Sequence, residues 1–544
     1  MAIKIRLQNY IQSSIRDFNR WSLFTVAIAC FISIPLITIV LNLKEGVGDM
    51  WGHVVEYLLL DYAINSLYLL VGSAILSLLF GVPTAWFISN YEFRFRTILN
   101  ALLYIPLAIP SYIMSYVYVD LVGYGGTLNQ LSFGFFPHMD MMNIWGLIFV
   151  LSISLYPYVY ASSRIMFSSA HGSIKESAQL LGVTNTSYFW RIALPMASPA
   201  VIGGLFLVFM EVLNDYGAAK YYGVNTFTTG IFRTWTALED LQSAVYLAFI
   251  LVVFVFILLF LNKYLRGRKS FSNTDSTFSG KKEKSSLTGY KTWYIPLICA
   301  TPFLFGFLLP LLQLSKWAYV NLLTPFNVEH MLISLQSVLI AGVTALITII
   351  FTLCLVYFPT WNRLRIIKPL VKITTVGYII PGAVIGITLV ASSSYFVNSI
   401  YNLFEIEIGH IVYSSIYILI FAYLFQFLAV AYNPIEAHSL RLGSNLSESC
   451  YMLGKSKLFT FFNIQFPLLK NSLMSGFLIV FIDVMKELPL TLLLKPYHVQ
   501  TLAIKAYEFA EDERVSEAAI PSLTLIGLVC LAMYLISMFR DEKK

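Results

Sequence analysis

Residues 176–195 read ESAQLLGVTNTSYFWRIALP, and residues 448–467 read ESCYMLGKSKLFTFFNIQFP. Glu176-Ser177-Ala178, Gly182 and Ile192-Ala-Leu-Pro195 recur as Glu448-Ser449-Cys450, Gly454 and Ile464-Gln-Phe-Pro467, each displaced by 272 residues. The same displacement carries Phe209 to Phe481, Glu211 to Asp483, Asp215 to Glu487, Thr229 to Thr501 and Glu239-Asp240 to Glu511-Asp512. Upstream it slips to 271, where Ile109-Pro110 meets Ile380-Pro381. So many matches in nearly one register mean an internal duplication.

Each copy predicts a short helix, a turn and a second helix. Ser173-Ile-Lys-Glu176 has the spacing of a capping box, and Asn445-Leu-Ser-Glu448 places a related cap in the second copy. Gly182 and Gly454 suit the left-handed position that ends a helix. Thr184 and Ser456 are placed to cap the next one, and Pro195 and Pro467 to mark where the chain turns into the membrane.

That membrane follows from composition. Of 544 residues, 58% are hydrophobic and only 12% charged, against about 25% charged in soluble domains. Mean hydropathy is +0.73. These values exclude an ordinary soluble enzyme and a disordered chain. Five Cys without a CxxC pair exclude a disulfide scaffold and a zinc ribbon. The net charge of +7 reads by location rather than as a nucleic-acid signal, and no nucleic-acid partner is expected.

A spanning helix needs about 20 apolar residues. Twelve runs qualify: 21–43, 63–88, 98–119, 143–163, 197–214 and 244–262, then 293–315, 331–358, 373–396, 411–431, 470–492 and 519–539. With the N-terminus inside, 28 Lys and Arg fall in inside segments and 7 in outside ones. By the positive-inside rule both termini are cytoplasmic.

The organisation expected is a cytoplasmic amphipathic segment at 1–20, a first six-span repeat at 21–265, a Ser/Lys-rich flexible linker at 266–291, a second six-span repeat at 292–540 and a tail at 541–544. An even number of spans per repeat orients both alike, so an axis along the membrane normal relates them. The repeated loops, 164–196 and 432–468, then share the cytoplasmic face. The fold class is an all-α polytopic membrane protein.

The repeated loop, with Glu, two small residues, Gly and Ile-x-apolar-Pro, resembles the EAA loop of ABC importer permeases. The segments Asn214-Asp-Tyr-Gly-Ala-Ala and Asp483-Val-Met-Lys-Glu-Leu-Pro are similar to those of the fused, two-domain permeases of bacterial ferric-iron importers, the FbpB type. Ser177, Ser449 and Cys450 stand where that family usually has Ala, and Phe466 where it has Leu. The resemblance implies a type I importer fold in the bacterial cytoplasmic membrane, passing iron(III) delivered by an extracytoplasmic binding protein. It also implies two copies of a cytoplasmic ATPase that carry ATP-Mg, each seating one loop, with Glu176 and Glu448 meeting basic groups. This chain has no GxxxxGK[ST] loop and is expected to bind no cofactor. Fused permeases for thiamine and phosphonates share the architecture, so another small solute, a polyamine included, stays open.

Glu211 and Asp215 are four apart, as are Asp483 and Glu487, which predicts two acidic pairs on equivalent helix faces. Carboxylates at membrane depth usually face a cavity or a partner. Lining of a path by all four suits a hard cation; water-exposed helix ends and contacts to a docking protein are the other readings. Lys486 stands close enough in sequence to neutralise Asp483. Tyr216, Tyr221 and Tyr222 could offer phenol oxygens to iron, but tyrosine is enriched at membrane interfaces and they read as interfacial anchors. A secondary transporter would need coupling groups near the midplane, and an intramembrane enzyme a nucleophile–base or metal cluster. Neither pattern is found in the sequence.

Overall fold

The computed structural model describes residues 20–124, 126–132, 139–169, 172–266, 284–287, 289–321, 328–361, 367–413, 415–443 and 445–541. The surface helix expected before Arg20, most of the linker and the last three residues of the tail lie outside these.

Apolar runs in a bilayer must satisfy their backbone groups internally, and helices do so. The first repeat comprises α1 (Arg20–Ile32), α2 (Ile34–Asn42), α3 (Trp51–Asn90), α4 (Arg96–Ala108), α5 (Ser111–Val122), α6 (Ile144–Ser169), α7 (Gly172–Leu180), α8 (Asn185–Asn214), α9 (Gly217–Tyr221), α10 (Phe227–Thr236) and α11 (Leu241–Arg266). The second comprises α12 (Lys291–Asn321), α13 (Val328–Tyr357), α14 (Ile367–Thr374), α15 (Gly382–Phe404), α16 (Ile416–Leu442), α17 (Asn445–Met452), α18 (Lys457–Lys486), α19 (Pro489–Leu494), α20 (Leu502–Glu511) and α21 (Ala519–Asp541). Among the described residues, ten helices are long and apolar enough to cross a bilayer. Two bent pairs, α1–α2 and α4–α5, bring the total to twelve.

The expected third span of each repeat is broken. Between α4 and α5 the chain bends by 96° at Ile109-Pro110. In the second repeat α14 continues as a tight turn to Ile379, and α15 begins after Ile380-Pro381. Proline cannot donate the next helical hydrogen bond, and it pushes the preceding residue into extended backbone. Ile109 and Ile380 are both extended, and Pro110 and Pro381 stand at the N-caps of α5 and α15.

Pro195 and Pro467 have a different outcome. The chain does not turn there; α8 and α18 run through both prolines. One π turn precedes each, at Phe189–Ala193 and Phe461–Gln465, with Leu194 N–H reaching Phe189 O and Phe466 N–H reaching Phe461 O. The wider turn accommodates the proline ring and its missing donor without ending the helix.

The constant displacement also fails beyond α9 and α19. Thr226 caps α10 by accepting from Thr229 N, and Thr501 caps α20 by accepting from Ile504 N. Thr501 therefore corresponds to Thr226, not Thr229. From the start of α19 to the start of α20 the second repeat has three more residues than the first has from α9 to α10, so the Glu239-Asp240 and Glu511-Asp512 match is coincidental. Asp240 caps α11 through Ser243, whereas Glu511 and Asp512 lie at the end of α20.

The repeats exchange their first spans. Trp21 of α1 packs on Phe358 and Trp361, and Phe31 on Phe421, all of the second repeat. Conversely, in α12, Phe305 O accepts from Tyr118 Oη, Gln313 donates to Asp120 and Trp317 packs beside Tyr116. The linker is not wholly loose either. Ser285-Ser286 pairs in parallel with Tyr91-Glu92, Lys284 lies 3.5 Å from Glu92, and Lys175 Nζ donates to Ser285 Oγ at 2.9 Å. Burial at this contact lowers the affinity of the Lys175 amine for its proton.

Candidate functional site

The two broken spans meet the ends of α8 and α18 around one cavity of about 120 Å³. Its wall is pseudo-symmetric. Pro110 and Pro381, Glu211 and Asp483, Asn214 and Lys486, Asp215 and Glu487 all line it, and so do Ser154 and Gln426. The structure therefore brings all four predicted carboxylates together, inside the bundle rather than at water-exposed helix ends.

They do not form two helical pairs. α8 stops at Asn214 and α18 at Lys486, so Asp215 and Glu487 sit just beyond in extended backbone. There each caps a short helix. Asp215 Oδ1 accepts from Ala218 N at 3.0 Å and Ala219 N at 3.1 Å. Glu487 accepts from Leu490 N and Thr491 N, both at 3.0 Å. Free amides at a helix start bind a carboxylate well. Ser111 also donates to Asp215, and Glu487 is only 6% exposed.

Glu211 and Asp483 are the less committed pair. Glu211 Oε1 accepts from Tyr158 Oη at 3.2 Å and Tyr378 Oη at 3.4 Å, one phenol from each repeat. Asp483 Oδ1 lies 3.9 Å from Lys486 Nζ, the neutralisation that the sequence allows. Among the described residues, no three His, Cys, Asp or Glu side chains converge as a metal centre would require.

Sequence reasoning missed Ser111, Tyr158, Tyr378, Asn214 and Gln426. Gln426 is 4% exposed and its Oε1 lacks a donor. The available signal was the Ile-Pro pair at matched places in two spans, which marks a helix break and so a place for polar groups at depth. Of the three tyrosines expected as interfacial anchors, Tyr216 and Tyr222 are not. Tyr216 is buried and stacks on Phe232 at 3.8 Å, and buried Tyr222 donates to Ser115 O at 3.4 Å. They are core residues because α9 folds back against α5 instead of lying at the interface.

The repeated loops keep their displacement of 272. Gly182 and Gly454 have φ of +77° and +74°. Val183 N reaches Ala178 O at 3.0 Å, and Lys455 N reaches Cys450 O at 3.1 Å, a Schellman closure in both. Thr184 and Ser456 cap the following helices through Ser187 N and Phe459 N. Ala178 and Cys450 are buried beneath the loops, while Ser177, Glu448 and Ser449 are exposed. Ile192 and Ile464 are half-buried, and Pro195 and Pro467 exposed. The side chains of Ser173 and Glu176 lie outside the described residues, so their capping box does too; Asn445 is the first residue of α17 rather than its cap. Neither sequence motif marked the residues before each glycine, Leu180 and Leu181 at 89% and 84% exposure, and Met452 and Leu453 at 89% and 78%.

Comparison with known proteins gives this arrangement a class. Residues 77–270 match the family described as binding-protein-dependent transport system inner membrane component. That match and the likenesses below support a fused, two-repeat ABC permease, a multi-pass inner-membrane transport subunit. Across both repeats it is similar to the Fe(3+)-transport system permease protein FbpB 2 of Haemophilus influenzae, 22% identical over 478 residues, 87% of this chain and 89% of that protein. Over shorter stretches it is similar to the sulfate transport system permease protein CysT of Salmonella typhimurium, 26% identical over 36% of this chain and 72% of that protein. The molybdenum transport system permease protein ModB of Haemophilus influenzae is 26% identical over 29% of this chain and 69% of that protein.

Proposed function

We propose that this permease passes iron(III), received from an extracytoplasmic binding protein, through the cavity between its repeats. Two copies of a cytoplasmic ATPase, carrying ATP-Mg, drive it from the repeated loops, and both termini face the cytoplasm. The observation that carries the reading is the likeness over both repeats to a ferric-iron permease, joined to a cavity walled by four carboxylates and one lysine. A hard cation favours such oxygen groups. Sulfate and molybdate are anions, and an acidic wall at depth repels them. The cavity is also below the roughly 300–1,000 Å³ of pockets that hold drug-sized solutes.

The loops support the coupling role through paired exposed apolar residues, Leu180-Leu181 and Met452-Leu453, beside the rigid glycine turns. Such twin patches fit a two-fold partner. Glu176 and Glu448 are assigned to contacts with basic groups on the ATPase. Radiolabelled iron uptake by cells lacking other iron importers tests the substrate: uptake that depends on this chain is expected. Chain-dependent uptake of thiamine, a phosphonate or a polyamine, with none of iron, would reassign it.

A further inference from the structure

The residues at the ends of α8 and α18, Asn214 and Lys486, occupy equivalent places in the two repeats, and each reaches across to the broken span of the other. Asn214 Oδ1 accepts from Gly382 N at 2.6 Å, at the start of α15. Lys486 Nζ donates to Leu107 O at 3.3 Å, at the end of α4. One cross-repeat tie is neutral. The other is charged, and its ammonium also faces Asp483 at 3.9 Å in the cavity wall. Both charged side chains are largely buried, 19% and 20% exposed, where an ion pair is weakly screened.

Given the cavity as the path, we propose that Lys486 is a charge-sensitive latch. At rest its ammonium occupies the place a cationic cargo needs beside Asp483, and it pins α4 to the second repeat through the Leu107 carbonyl. A cation reaching Asp483 competes for that carboxylate and displaces the ammonium. Loss of the ion pair then frees the Leu107 carbonyl and lets the break between α4 and α5 move. Gln426 Oε1, buried in the same wall without a donor, supplies an oxygen to a cation that sheds water there. The Asn214 tie carries no charge and does not respond to cargo. Cargo recognition and the mobility of one helix break thus share a single side chain, and only in the second repeat.

The test uses the full chain assembled with its ATPase in liposomes, with Leu107→Cys as a reporter, since this change keeps the backbone carbonyl. Labelling by a membrane-impermeant thiol reagent and ATP hydrolysis without cargo are measured with Lys486, Lys486→Gln and Lys486→Arg. The glutamine change is expected to raise labelling roughly tenfold, the scale of one lost charged hydrogen bond, and to raise idle ATP hydrolysis; arginine retains the latch. Equal labelling and hydrolysis in all three would overturn the latch while leaving the path intact. A cysteine at 107 that is never labelled, in any nucleotide state, would overturn the path and the latch with it.

Discussion

Gly182 and Gly454 hold the left-handed turn that lets two helices meet at a fixed angle in each loop. A side chain there costs about 1–2 kcal/mol per residue, more for a β-branched one. Nothing lies within 4 Å of the site of an added Cβ at either glycine, so the cost is conformational rather than steric. The double change Gly182→Val and Gly454→Val should leave insertion intact and abolish ATP-dependent uptake; pull-down of the ATPase with the detergent-solubilised variant checks it, and normal binding and uptake would refute it. At the same scale the carboxylates separate by role. Asp215→Ala or Glu487→Ala removes a cap, and each should destabilise the bundle by about 1 kcal/mol, seen as a lowered Tm in detergent. Glu211→Gln should leave Tm nearly unchanged and cut transport; Asp483→Asn should also cut transport, with some loss of Tm because it leaves Lys486 without its ion pair. The reverse pattern would assign the path to the capping pair.

Prolines show at the level of elements what the sequence made legible and what it did not. The apolar runs gave twelve spans and the duplication gave their pairing, because burial and repeat leave direct marks on residue type. Pro110 and Pro381 break their helices, while Pro195 and Pro467, each behind a π turn, do not, and no residue type announces which outcome follows. The cavity was only half visible for the same reason. Its carboxylates stood out as charge in apolar runs, but Tyr158, Tyr378 and Gln426 reach it through the crossing of helices distant in sequence. The exchange of first spans was equally hidden, since an apolar helix surface does not name its partner. It makes a prediction about the linker. Co-expressed 1–270 and 284–544 should assemble and transport, because α1 and α12 each clasp the opposite repeat and Lys284–Leu287 stays with its strand partner. Starting the second half at 322 instead, without α12, should prevent co-purification with the first half. Intact assembly of that shorter pair would show that the exchange contributes little.

On the scale of the whole molecule, the two repeats enclose an acidic cavity lined by matched residues of both, and the proposed orientation puts both repeated loops on the cytoplasmic side. A cavity between repeats, with a helix break contributed by each, is a place where modest relative motion opens one side or the other. The loops are distant from it along α8 and α18, which run as continuous helices from the loop glycines to Asn214 and Lys486. Under the proposed coupling, each would act as a lever between the loop and the cavity wall. The most direct measurement is ATP-driven accumulation of radiolabelled iron(III) in liposomes holding the chain, its ATPase and its binding protein, compared with the Glu211→Gln, Asp483→Asn double variant. The account predicts accumulation by the wild type, and loss of accumulation in the variant while ATPase binding persists. Undiminished accumulation by the variant at equal reconstitution would contradict it.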